Sequence, residues 1–172
     1  MLRPNLRFPF ARLISFSLAF VLSALLFSAW SLYTKRQLVF TDAAFRGRLV
    51  LMKTLYAAGG IDVNAAELSG QPCHTPMAMA ALSGENEVIK FLLEKGAGIN
   101  EKSPNGATPL MMAVRTRHES TVKLLIANGA NVNAVREGYT LLDMALDGRN
   151  ARIVDLLKAA GARGIADSIE QR

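Results

Sequence analysis

The sequence predicts an all-α fold, a solenoid of about four helix-turn-helix repeats preceded by one N-terminal transmembrane helix. Three observations lead there. The chain resembles itself at a shift of 33 residues and again at 32. Thr-Pro pairs head short apolar stretches that close on glycine, and 22 uncharged residues run from Leu13 to Thr34. A fixed period of this length signals stacked units, none of which buries its apolar face alone.

In chain order, residues 1–12 form a basic flank with Arg3, Arg7 and Arg12, and the apolar run 13–34 follows, closed by Lys35 and Arg36. At about 1.5 Å per residue, a helix of this run spans a hydrocarbon core of about 30 Å. Trp30 and Tyr33 fall near one end, where amphipathic rings prefer the headgroup level, and Ser15, Ser17, Ser23 and Ser28 can bond to carbonyls of their own helix. A single-pass anchor is the leading reading, ahead of a buried helix of a soluble protein. Its main rival is a cleaved signal peptide with small residues at Ala29 and Ser31, leaving an exported soluble protein. Against that, the run exceeds a usual signal core and Phe27 spoils the site ending at Ala29. Lys35, Arg36, Arg46, Arg48 and Lys53 outnumber the arginines before the run, a weak lean toward a cytoplasmic domain. A basic flank before a long apolar stretch is the export pattern, so the expectation is a single-pass membrane protein with its repeats on the exported side.

The repeats decide the fold. A shift of 33 lays Thr75, Pro76, Met79, Ala80, Lys90, Leu92, Gly96, Ala97 and Asn100 on Thr108, Pro109, Met112, Ala113, Lys123, Leu125, Gly129, Ala130 and Asn133. A shift of 32 carries Thr108, Leu110, Met112, Ala113, Leu124, Leu125, Gly129 and Ala130 onto Thr140, Leu142, Met144, Ala145, Leu156, Leu157, Gly161 and Ala162. Ala43, Ala44, Gly47, Leu55, Gly59 and Asn64 form a degenerate first copy with a longer connection. The repeats therefore fall at about 38–70, 71–103, 104–135 and 136–163, with a tail over 164–172.

The stretches TPMAMAALSGENEVIKFLLEKGAGIN, TPLMMAVRTRHESTVKLLIANGANVN and TLLDMALDGRNARIVDLLKAAGA resemble the ankyrin-repeat family, whose period and T-P-L-H-x-A signature they follow over about 38–163. They depart from it where Ala78, Met111 and Asp143 replace the signature histidine and Cys73 replaces the glycine before the Thr-Pro pair.

The local chemistry agrees with the resemblance. Thr75 and Thr108 suit N-caps, and Pro76 and Pro109 suit the first helical position, where a missing N–H costs nothing. Ala80, Ala113 and Ala145 let inner helices approach, and Val88, Ile89, Phe91 and Leu92 give an outer helix its apolar face before Gly96 ends it. Lys158 stands where Leu93 and Ile126 stand earlier, as suits a last outer helix that no repeat covers.

Several chemistries are disfavoured. The formal charge of +6 falls to 17 basic against 14 acidic residues beyond the basic flank, and the signs alternate (Glu85, Glu87, Lys90, Glu94, Lys95), so no one-signed stripe for nucleic acid is expected. Cys73 is the only cysteine, which rules out an internal disulfide. Beside His74 it could suggest a nucleophile and base, but neighbours in an extended loop point to opposite sides. His118 reads as a local hydrogen-bonding residue, and Met79, Met112 and Met144, recurring at one repeat position, read as core. Phosphate, zinc and acyl-transfer signatures do not occur, so no enzyme, cofactor, metal or small-molecule substrate is expected.

The resemblance implies instead a protein partner, held on the concave face lined by turn tips and inner-helix ends. The matching positions are Gln71, His74, Leu82 and Ser83; Asn105, Ala107, Arg115 and Thr116; and Arg136, Glu137, Tyr139 and Asp147. Leu82, Arg115 and Tyr139 are the expected anchors, since binding hot spots favour Tyr and Arg in apolar surroundings. An inhibitor or immunity role, in which the same face occludes a toxin or enzyme, is the alternative use.

Overall fold

The structure, a computed structural model, describes residues 10–66 and 74–165, with the side chains of the first helix described from Ser23 onward. Two compact units divide at Lys35/Arg36. Helix α1, Phe10–Phe45, contributes to both, because nothing between Leu13 and Arg46 breaks a helix: the first glycine is Gly47 and no proline intervenes.

In the first unit, Ser28 and Thr34 return their hydroxyls to the carbonyls of Leu25 and Ser31, at 2.8 and 3.0 Å. Leu25, Leu26, Phe27, Trp30 and Leu32 are each 60–71% exposed. Among the described residues no helix is long and apolar enough to cross a membrane. The side chains of residues 13–22, the first part of the expected span, lie outside the described residues.

The second unit is a row of helix pairs. The end of α1 is joined to α2 (Leu49–Ala57) by Arg36 Nη2 donating to the Leu55 carbonyl at 3.4 Å, and α3 (Pro76–Ser83) pairs with α4 (Asn86–Glu94), α5 (Pro109–Thr116) with α6 (Glu119–Ala127), and α7 (Leu141–Asp147) with α8 (Ala151–Ala159). Inner helix α5 packs between α3 and α7, and outer helix α6 between α4 and α8. The first inner helix thus has no cap of its own. Gln37, Phe40, Thr41 and Ala44 are buried at helical spacing, and the Gln37 amide both donates to the Asp62 carbonyl at 2.8 Å and accepts the Asp62 N–H at 3.3 Å.

The later inner helices start as expected. The hydroxyls of Thr75 and Thr108 accept the N–H groups of Ala78 and Met111, with Pro76 and Pro109 in the first turn. Thr140 caps α7 without a proline, completing a reciprocal capping box with Asp143, so one residue at the lost histidine position has a structural use. Ala80, Ala113 and Ala145 are buried between helices, and Ile89, Leu92, Leu125, Ile153 and Leu157 fill the space behind them. Full burial of such a side chain contributes about 1.5–3 kcal/mol. Thr121 replaces Val88 in this layer; it too is buried, and its hydroxyl is satisfied by Asn86 Oδ1 of the preceding repeat at 2.8 Å. Met112 is core as expected, whereas Met79 and Met144 are only partly buried.

Asparagines join the repeats at their turns. Asn64 Oδ1 accepts the Gly98 N–H at 2.8 Å, Asn100 Oδ1 that of Asn131 at 2.7 Å, and Asn133 Oδ1 that of Arg163 at 2.9 Å. Each bond runs from one repeat to the next. At the helix-connecting turns, Gly47 and Gly84 hold φ of 63° and 80° and also make room: a Cβ on Gly84 would lie 2.8 Å from the His118 ring. His118 therefore packs on the preceding repeat and makes no side-chain cap to its own helix. In the last two repeats the left-handed position is held by Arg117 (φ 62°) and Arg149 (φ 51°).

Candidate functional site

One open groove of about 470 Å³ gathers the chemistry on the inner side of the last two repeats. Its first wall is the end of α5, with Val114, Arg115 and Arg117; its second is α7, with Met144, Asp147 and Gly148. A short hairpin forms the third. Strands β1 (Val135–Arg136) and β2 (Tyr139–Thr140) pair antiparallel with Arg136 opposite Tyr139. The two residues between them, Glu137 and Gly138, hold φ of 53° and 82°, positive at both central positions, so the turn matches the right-handed twist of its strands. The hairpin sets Tyr139 out into solvent at 51% exposure.

Arg136 is held by its turn neighbour, its Nε and Nη2 lying 3.2 and 3.0 Å from Glu137 Oε1. Among the described residues, Arg115, Arg117 and Asp147 form no ion pair.

The expected contact residues divide sharply. Arg115, Arg136, Glu137, Tyr139 and Asp147 come together in this groove. Leu82 does not line it; it is half-buried and packs on the core. Asn105 is exposed but outside the lining, its Oδ1 accepting the Ala107 N–H at 3.1 Å. His74 and Ala107 correct the expectation outright, because both are buried. His74 is only 2% exposed, with Nδ1 3.2 Å from Ser103 Oγ at the far end of the same repeat and Nε2 buried without a partner among the described residues. Burial, then the positive charges of Arg115 and Arg136, lower its proton affinity below the ordinary imidazole value of 6.5. Gln71 and Cys73 lie outside the described residues.

Val114, Arg117, Met144 and Gly148 line the groove without having been expected there. Arg117 had a sequence signal: it stands 33 residues after Gly84, where an arginine is out of place in a turn that favours glycine. Among the described residues, no group of His, Cys, Asp and Glu side chains could hold a metal.

A family model described as ankyrin repeats (3 copies) matches residues 40–136 and again 77–166. No curated protein matches the chain.

Proposed function

The chain belongs to the ankyrin-repeat family, whose arrays serve as protein-interaction modules, and on that premise we propose that it is a non-enzymatic, membrane-anchored module holding a protein partner in the groove between the hairpin and the ends of α5 and α7. One observation carries this reading: Arg115, Arg136, Glu137, Tyr139 and Asp147 line one open groove, with Tyr139 exposed in it. Exposed aromatic and arginine side chains beside partly buried apolar ones are the composition of binding hot spots.

The anchor is proposed on the uncharged run 13–34 and on the exposure of Leu25, Leu26, Phe27, Trp30 and Leu32 along a helix. We place the repeats on the exported side because a basic flank precedes the run. Intact mass of the mature chain tests retention, and a protein starting near Leu32 sinks the anchor while keeping export.

For the groove, the test is partner capture after chemical crosslinking in native membranes. Changing Arg115 and Tyr139 together to Ala is expected to abolish capture with helicity unchanged, since hot-spot truncations cost about 2 kcal/mol or more each. Changing the exposed Glu87, Lys123 and Asp155 to Ala, on the outer helices, is expected to be silent. The reverse pattern refutes the groove.

A further inference from the structure

The charges of the groove are not equivalent. Arg136 is already engaged by Glu137, and the pair presents little net charge. Arg115 and Arg117 are exposed, two positions apart where the chain leaves α5, and without an ion pair among the described residues. Of the other charged residues lining the groove, Asp147 also has no ion pair among the described residues; it stands at the position of Arg115 one repeat later.

Arg117 holds its left-handed backbone where two earlier repeats use glycine. A side chain there costs on the order of 1 kcal/mol. The positive charge also reaches inward: besides burial, Arg115 disfavours a proton on His74. Tyr139 and Met144 offer apolar surface in the same groove.

Resting on the reading of this groove as the partner-holding face, we propose that its occupant is an acidic protein segment, whose carboxylates seat on Arg115 and Arg117 while an apolar or aromatic residue of the same segment lies on Tyr139 and Met144. A guanidinium presents parallel N–H donors that match a carboxylate. Asp147 repels carboxylates in the next repeat, which confines them to the end of the groove at Arg115 and Arg117. In so open a groove the charges act chiefly on encounter rate and choice of partner, and salt screens them.

The test takes the full chain and a short fluorescent peptide alternating glutamate with phenylalanine, read by anisotropy. Its comparators are the glutamine and phosphoserine counterparts and a single-stranded oligonucleotide of equal charge. The glutamate peptide is expected to bind at least about tenfold tighter than the glutamine one, which is about 1.4 kcal/mol. The advantage fades with salt, disappears in Arg115→Glu/Arg117→Glu and grows in Asp147→Asn. Arg117→Gly, which suits the positive φ, removes one guanidinium without loading the fold and is expected to lose part of the preference. Absent binding, equal binding of the glutamine peptide, or tighter binding of the phosphoserine peptide or oligonucleotide overturns the proposal. Partner capture that survives charge reversal but not Arg115→Ala/Tyr139→Ala also overturns it, and leaves the groove reading standing. Capture indifferent to both variants removes the groove reading itself.

Discussion

His74 is an imidazole in a place that suits only its neutral form. It is buried beside Ser103, its Nε2 lacks a partner among the described residues, and Arg115 and Arg136 oppose a further positive charge nearby. Above its ordinary value of 6.5, His74 is neutral in both the folded and the unfolded chain. Below that value the unfolded chain binds the proton first, so this contribution to stability is lost as pH falls toward the lowered folded value. The urea midpoint is expected to drop between pH 7 and pH 5.5 in the parent and to stay flatter in His74→Gln. Parallel curves would mean that His74 titrates as freely folded as unfolded. The residue could not be placed from sequence because exposure at a turn depends on what distant parts of the chain lay over it, and Ser103 is 29 positions away. Arg115 and Tyr139 were legible for the opposite reason: their exposure follows from the position within one repeat.

At the scale of elements, helix starts were the most readable feature, since a Thr-Pro pair supplies both the side-chain acceptor and the preset backbone within two residues. Helix α7 is the instructive case. It has seven residues, lacks the proline, and depends on Thr140, whose hydroxyl accepts the Asp143 N–H at 3.1 Å while Asp143 returns a bond to the Thr140 N–H at 3.2 Å. Thr140→Ala is expected to cost about 1 kcal/mol, within the usual range of about 0.5–2, read as a shift of the urea midpoint. A shift too small to resolve would show that packing alone holds α7. Because Thr140 also pairs with Val135 in the hairpin, the same change is expected to loosen the wall that carries Tyr139. One helix boundary and one element escaped the sequence reading. Helix α1 runs past Thr34 because charge does not stop a helix and no glycine occurs before Gly47. The hairpin is only two residues a side, too short for alternation to register, and its signal was confined to Glu137-Gly138.

In the second unit, contacts between repeats add to those within them. Ala113 is fully buried on α5, which packs against both α3 and α7, so a larger side chain there must push two neighbours apart. Ala113→Leu is expected to cost about 1–3 kcal/mol, whereas Arg115→Ala, two residues on and exposed, stays within about 0.5 kcal/mol. Thermal melts followed by circular dichroism separate them, and equal loss would place the wrong residue inside. The stack was legible because repetition multiplies a weak signal: Ala80, Ala113 and Ala145 say little singly and much together. The bonds across repeats were not, since Asn64, Asn100 and Asn133 appear in the sequence only as recurring letters.

Those asparagines give the array a growth rule. Each belongs to the earlier unit and grips a backbone amide of the later one, and the series stops after Asn133 because the matching position in the last repeat is Ile165. A unit duplicated in the interior would inherit both a grip and something to be gripped. A unit stacked beyond Ile165 would meet no side-chain oxygen at that position to receive its amide, so the joint would rest on apolar packing alone.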